Sequence, residues 1–391
     1  MNKTDQKFLK WLPDYLRYVD YIGAASLYLK DNFFLKEKLG AEHIKPRVLG
    51  HWGTVPGLNF IYANLNYLVC KHKCEMLLVT GPGHGAPAIL ANLFVEETIK
   101  DFYKNYPRNA EGMGKLLHDF SWPRTPFPSH VTPSVPGSIL EGGELGYSLS
   151  TAYGAAMDNP DLIVAVVVGD GEAETGPIAT AWHSNKFFNP QTGGGILPIV
   201  HVNGYKISNP TVFGIMSDVE LRALFTGYGY EPLIVEEPNI EKKMMEAMEQ
   251  SYQIIRDIQK RTRKNRNLLK PKWPVIILRT LKGWGGVHNF GGHKIEGSSY
   301  SHGIPLENPK KDPKQLEAIE KWLKSYRVEE LIDGKGRPKK EILQFVPTGK
   351  LRIGMNKHAV GGNLMKDLKL PNSSKYEIKF NQEIVEKIVA K

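Results

Sequence analysis

LIVAVVVGDGEAETGPIATAWHSNKFFNPQTGGGILPIVHVNGYKISNPT, residues 162–211, decides the fold. It opens on an apolar run, Leu162 to Val168, rich in valine and closed by glycine. That is how a strand buried on both faces of a parallel sheet reads. The strand stops at Gly169-Asp170-Gly171, and GEAETGP leads into a predicted helix from Ile178 to Phe188. A second apolar run, Ile196 to Val202, ends on Asn203-Gly204. Two strands around a helix make a βαβ unit, whose strands are parallel and whose carboxyl ends share one edge. Asp170 and Asn203 are therefore expected side by side at that edge, where open α/β sheets bind their ligands. A carboxylate and an amide oxygen are hard ligands suited to Mg²⁺ or Ca²⁺, completed by phosphate oxygens and water. Gly169 and Gly171 let the backbone approach a diphosphate, and the following helix N-terminus favours its negative charge.

The alternation continues outward from this unit. Met76 to Thr80 reads as a short buried strand with GPGHG at its carboxyl end, and Leu233–Val235 and Val275–Arg279 supply two more. Helices are predicted over Asn59–Lys71, Glu141–Met157, Ile240–Thr262 and Pro313–Ser325, and the first 50 residues read as helix followed by a Lys-rich loop. Residues 104–140, with WPRTPFPSHVTPSVPG, look too irregular for packed elements. A loop of that length is functional or disordered, and the presence of His130 favours a function. The sum is a doubly wound parallel α/β sheet with long Gly/Pro-rich loops gathered at its carboxyl edge. The expected division is an N-terminal helical arm (1–50), a diphosphate-binding α/β domain (51–335) and a linker-like tail (336–391).

Composition excludes several classes. With 391 residues and 41% hydrophobic content the chain can bury a proper core. No run approaches the eighteen apolar residues of a membrane helix, and MNKTDQKFLKWLPDY lacks a signal peptide's apolar stretch, so the cytoplasm is expected. Cys70 and Cys74 have no partner pair at zinc-finger spacing and read as structural. The net charge of +10 owes much to RDIQKRTRKNRNLLKPK at 256–272. Without interleaved aromatics this is a solvated helix face, not a nucleic-acid surface.

GDG followed by Asn-Gly on the next strand resembles the thiamine diphosphate fingerprint. Longer strings are similar to the N-terminal half of the phosphoketolases, which cleave ketose phosphates with inorganic phosphate to give acetyl phosphate. They are HWGTVPGLNF (51–60), GPGHGAPA (81–88), PSH (128–130), EGGELGYSLSTAYGAAMDNPD (141–161), GDGEAETGP (169–177) and NGYKISNPT (203–211). The resemblance runs from about Tyr18 to Leu370. It implies a thiamine-diphosphate-binding fold and a carbon–carbon lyase acting on xylulose 5-phosphate, fructose 6-phosphate or both. It implies Asp170, Asn203 and the backbone carbonyl of Tyr205 as ligands to Mg²⁺ or Ca²⁺. Glu141, Gly143, Gly169, Gly171, Glu172 and Lys282 then belong to the cofactor site.

Twelve histidines are present, and imidazole is the side chain best able to move protons near neutral pH. His51, His84, His130 and His302 each sit in a glycine- or proline-rich turn, and the resemblance assigns them to the substrate pocket. His72, His201, His288 and His293 read as structural, and a zinc site from His288, His293 and His302 has no thiolate or carboxylate to support it. Two departures matter. Phosphoketolases usually carry Gln directly after the last of the pocket histidines, where this chain has Gly303, which puts phosphorolysis in question. They are also about twice as long, and their second half binds the pyrimidine and supplies the glutamate that activates the cofactor. The expectation is a split phosphoketolase, this chain being its diphosphate-binding subunit, with a pyrimidine-binding partner chain, a homo-oligomer or both. A ketose-phosphate epimerase or isomerase using the loop histidines is one alternative, and an inactive remnant or regulatory partner is the other.

Overall fold

Five parallel strands carry the molecule. The computed structural model describes residues 1–264 and 271–359. Its strands are β1 (Met76–Thr80), β2 (Ile163–Gly169), β3 (Gly195–Val202), β4 (Tyr230–Val235) and β5 (Trp273–Arg279), lying in the order β1-β2-β3-β5-β4. Every neighbouring pair is parallel. The chain leaves β3 for the edge strand β4 and returns to place β5 between them. From Leu162 to Val168 no side chain is more than 1% exposed, as a strand covered on both faces requires. Burying each such valine or isoleucine stabilises the fold by roughly 1.5–3 kcal/mol. Register pairs Gly169 with His201, so Asp170 and Asn203 leave the sheet together at its carboxyl edge.

The helices are α1 (Lys3–Tyr28), α2 (Val55–His72), α3 (Ala86–Val95), α4 (Thr98–Phe102), α5 (Ala110–Asp119), α6 (Ser148–Ala156), α7 (Gly176–Ala181), α8 (Val212–Ile215), α9 (Asp218–Tyr228), α10 (Ile240–Lys264) and α11 (Pro313–Ser325). α6 packs on β1, β2 and β3, while α10 packs on β3, β4 and β5. α1 starts at a capping box, Asn2 with Asp5, and buries Phe8, Leu12, Tyr15, Val19 and Ile22. That stripe lies against α2 and α3, so the N-terminal segment shares the sheet's core. Ile342, Phe345, Val346 and Ile353 of the C-terminal segment are buried too. Residues 360–391 of the tail, and 265–270 of the basic stretch, lie outside the described residues.

Several local expectations are corrected. The helix expected from Glu141 begins only at Ser148, because residues 141–147 turn through three glycines and Gly146 sits at φ +112°. The stretch expected to be irregular contains α5, capped by Asn109 and burying Met113, Leu116 and Leu117. The helix expected from Ile178 to Phe188 is α7 followed by a tighter turn over Trp182–Lys186. α9 has no counterpart in the sequence reading. Among the described residues no helix is long and apolar enough to cross a membrane. Cys70 and Cys74 are both free, and burial pushes each thiol up to about 11, which leaves them unreactive.

Candidate active site

Asp170 follows β2 directly and is 3% exposed. Its Oδ1 accepts from Gly171 N at 2.9 Å, and its Oδ2 accepts from Gly204 N at 2.7 Å and Thr211 Oγ1 at 2.9 Å. One carboxylate thus ties the loop after β2 to the loop after β3. Burial pushes its pKa up, against the pull of these donors and of Lys282. Asn203 Oδ1 accepts from Lys282 Nζ at 3.3 Å, and the same ammonium donates to the Tyr205 carbonyl at 2.7 Å. Lys282 is 2% exposed, and burial lowers it to about 8 although Asp170 opposes the shift. A carboxylate, an amide oxygen and a peptide carbonyl form a hard donor set. Two of the three already hold a cationic group, so the residues fit the divalent ion the sequence predicts. Among the described residues no group of three or more His, Cys, Asp or Glu could hold a metal. His288, His293 and His302 therefore form no zinc cluster, and His288 pairs with Glu296 instead.

The remaining cofactor-side residues divide into those that line space and those that build it. Gly169 and Gly171 line a cavity of about 310 Å³. A Cβ at Gly169 would meet no protein atom within 3.5 Å, and one at Gly171 would meet only the Lys206 stem, at 3.3 Å. Neither glycine answers to a backbone constraint; what they keep open is the cavity. Glu172 is buried, and its carboxylate accepts from Ser148 Oγ at 2.6 Å and from Gly146 N and Gly169 N at 3.3 Å each. It clamps the turn entering α6 onto the end of β2. Glu141 lies exposed and accepts from Gly143 N at 3.3 Å; Gly142 and Gly143, rather than Glu141, face the cavity.

Four imidazoles line the same cavity. Ring centres are 5.1 Å apart for His51 and His84, 5.4 Å for His51 and His130, 5.3 Å for His51 and His302, and 5.2 Å for His84 and His302. They come from four distant loops, and backbone bonds join those loops. Trp52 N donates to Gly303 O at 2.9 Å, and Gly283 N donates to Gly53 O at 2.8 Å, which joins His51, His302 and Lys282. Val131 N donates to Gly83 O, and Gly142 N to Val131 O, both at 2.8 Å, which joins His84, His130 and the turn before α6. These contacts need glycine. A Cβ at Gly83 would stand 2.3 Å from Gly142 Cα, and one at Gly53 would stand 2.8 Å from Ser301 O.

Burial drives all four imidazoles below their ordinary range. His51 falls to about 4 with His130 and Lys282 adding to the effect, and His302 to about 3 with Lys282 and His51 adding. His84 lies well below that range, and His130 is lowered with Glu141 opposing. All are therefore neutral near pH 7. Nδ1 of His51 and of His302 is buried with no hydrogen-bond partner among the described residues. His201 bridges Thr280 Oγ1 at 2.9 Å and Thr54 Oγ1 at 3.3 Å beneath the site, in keeping with its structural assignment. The cavity also takes in Thr54, Pro82, Leu145, Lys206 and Ile207, which sequence reasoning did not single out. Thr211, fully buried behind Asp170, was missed as well.

The parallel α/β sheet is the fold of transketolase structures. Structures of a transketolase mutant from Pichia stipitis (TM-score 0.52, 16% identity, 92% of this chain and 44% of that one) and of transketolase from Leishmania mexicana (0.50, 14%, 84% and 46%) are similar. The chain belongs to the XFP N-terminal domain family, whose model matches residues 3–364. Among curated relatives it is 49% identical over 378 residues to a probable phosphoketolase of Bradyrhizobium diazoefficiens, covering 96% of this chain and 47% of that protein. It is 48% identical over 383 residues to one of Rhodopirellula baltica, covering 97% and 48%. The chain thus spans about half the length of the curated relatives it matches.

Proposed function

We propose that this chain is the diphosphate-binding half of a thiamine-diphosphate-dependent phosphoketolase that converts xylulose 5-phosphate, fructose 6-phosphate or both to acetyl phosphate. The observation that carries the reading is the convergence of Asp170, Asn203 and Tyr205 with His51, His84, His130 and His302 around one cavity. Asp170, Asn203 and Tyr205 O would hold Mg²⁺ (or Ca²⁺), and Gly169, Gly171 and Lys282 would receive the diphosphate. When bound, thiamine diphosphate supplies the carbon nucleophile that opens the ketose, chemistry that no side chain here provides. The protein's part is to bind, orient and exclude water. A neutral imidazole can accept a substrate hydroxyl proton at one ring nitrogen and donate from the other.

Activity depends on a pyrimidine-binding half, which we place in a partner chain. The cavity rim supports a protein neighbour: Leu145 and Ile207 line it, and Ile207, Ile215 and Val219 are 74–78% exposed. The test is an acetyl phosphate assay with xylulose 5-phosphate, phosphate, Mg²⁺ and cofactor. The chain alone should give none, and adding a pyrimidine-binding half from a relative should give turnover. Product from the isolated chain at a normal rate overturns the partner requirement. In deuterated buffer the chain alone should leave the carbon-bound protons of xylulose 5-phosphate unexchanged; exchange abolished by His84→Ala would instead establish the epimerase reading.

A further inference from the structure

We propose that Lys282 is a tethered counter-cation that occupies the metal oxygens until a diphosphate draws it away, so that divalent cation and diphosphate enter together. This rests on reading Asp170, Asn203 and Tyr205 as the metal ligands. Lys282 Nζ stands 2.7 Å from the Tyr205 carbonyl and 3.3 Å from Asn203 Oδ1, on two of the three oxygens a metal would need. An ammonium and a divalent ion sharing these acceptors would lie within about 5 Å of each other, where repulsion in a buried site far exceeds thermal energy. One must leave.

Only the side chain of Lys282 is free to do so. Its carbonyl accepts from Gly297 N at 2.7 Å and Ser301 Oγ at 3.0 Å, and the next residue, Gly283, donates to Gly53 O. The stem lines the cavity, so the ammonium can turn into it towards an anion. Charge points the same way. Asp170 and Lys282 balance one another, the histidines beside them are neutral near pH 7, and Glu172 is held by its own three donors. A divalent ion arriving alone would leave the buried site with two uncompensated positive charges. An ion arriving with a diphosphate leaves it near balance, and the displaced ammonium gains a phosphate partner.

Mn²⁺ titration of the full chain, followed by electron paramagnetic resonance, tests this with and without inorganic pyrophosphate. Wild type should bind Mn²⁺ weakly alone and much more tightly with pyrophosphate. Lys282→Met should bind Mn²⁺ alone about tenfold more tightly than wild type, the scale of one charge-assisted hydrogen bond. Its gain from pyrophosphate should shrink, and Lys282→Arg should behave as wild type. If Lys282→Met binds Mn²⁺ alone no more tightly, the proposal is wrong. Adding Asp170→Ala separates the two readings. Should the tighter binding of Lys282→Met survive that change, the metal lies elsewhere and both fall; should Mn²⁺ binding of every form vanish with it, the ligand assignment stands whatever Lys282 does. Crystals of wild type soaked in Mn²⁺ give a check that needs no variant. Nζ should leave the Tyr205 carbonyl only when pyrophosphate is added, and an unmoved ammonium beside bound metal would refute the exchange.

Discussion

A buried carboxylate binds a metal well only when its orientation is held beforehand, and Thr211 does much of that holding. Its hydroxyl meets Asp170 Oδ2 at 2.9 Å, and the same oxygen atom of Thr211 accepts from Gly214 N at 3.0 Å to start α8. Thr211→Val keeps the shape and removes the donor. Loss of such an outer partner weakens metal binding about 10–100-fold, so Mg²⁺-dependent binding of thiamine diphosphate, followed calorimetrically, should weaken by about tenfold. Unchanged affinity would show that Gly204 N and Gly171 N suffice. The placing of Asp170 and Asn203 was legible in the sequence because each follows an apolar run at the same edge. Thr211 was not: it lies eight residues beyond Asn203, and only the return of the chain after the Tyr205–Pro210 bridge brings it behind Asp170.

Among the elements, strands were read well where burial on both faces leaves an unbroken apolar run, as in β2 and β3. β4 was read three residues short because it opens Tyr230-Glu231-Pro232, and an edge strand tolerates both the exposed glutamate and the proline. α9 escaped notice because it buries only Leu221 and Phe225, too few to show a period; its capping box, Ser217 with Glu220, was the available signal. α5 was hidden by Gly112 and Gly114, which read as loop. Gly112 packs on Pro107 and Gly114 on Phe33, so both serve close approach. The same reasoning gives a prediction for the loops. Gly83→Ala would force a Cβ into the Gly142 backbone, with no flexible side chain to yield. The expected cost is about 1–3 kcal/mol, read as a lower midpoint in urea. Faster amide exchange over residues 128–145 should accompany it, and a midpoint equal to wild type would show that the joined loops are not under tight packing.

At the scale of the whole molecule, the buried neutral histidines make stability sensitive to acid. His201, 1% exposed, falls to about 3, beside His51 near 4 and His302 near 3. An unfolded histidine titrates near 6.5, so between that value and the folded one the unfolded chain binds more protons. Their contribution to stability is therefore fully present above about pH 6.5 and lost as pH falls towards 3–4. For fully buried His201 alone the slope is about 1.4 kcal/mol per pH unit. Asp20 and Glu96, which burial raises to about 7, act in the opposite sense over the same range, so the test is a difference. Between pH 7 and 5 the thermal midpoint of His201→Gln should change less in the destabilising direction than that of wild type, and equal changes would mean that His201 protonates freely in the folded state. The joined loops carry a different lesson. The bonds that fix the four histidines in space run from backbone to backbone, so they are indifferent to which side chain each loop displays. Only the glycines at the crossings are irreplaceable. The frame and its lining can thus vary independently, and a lineage can exchange one imidazole for another group, changing what the vessel reacts with while leaving the vessel standing.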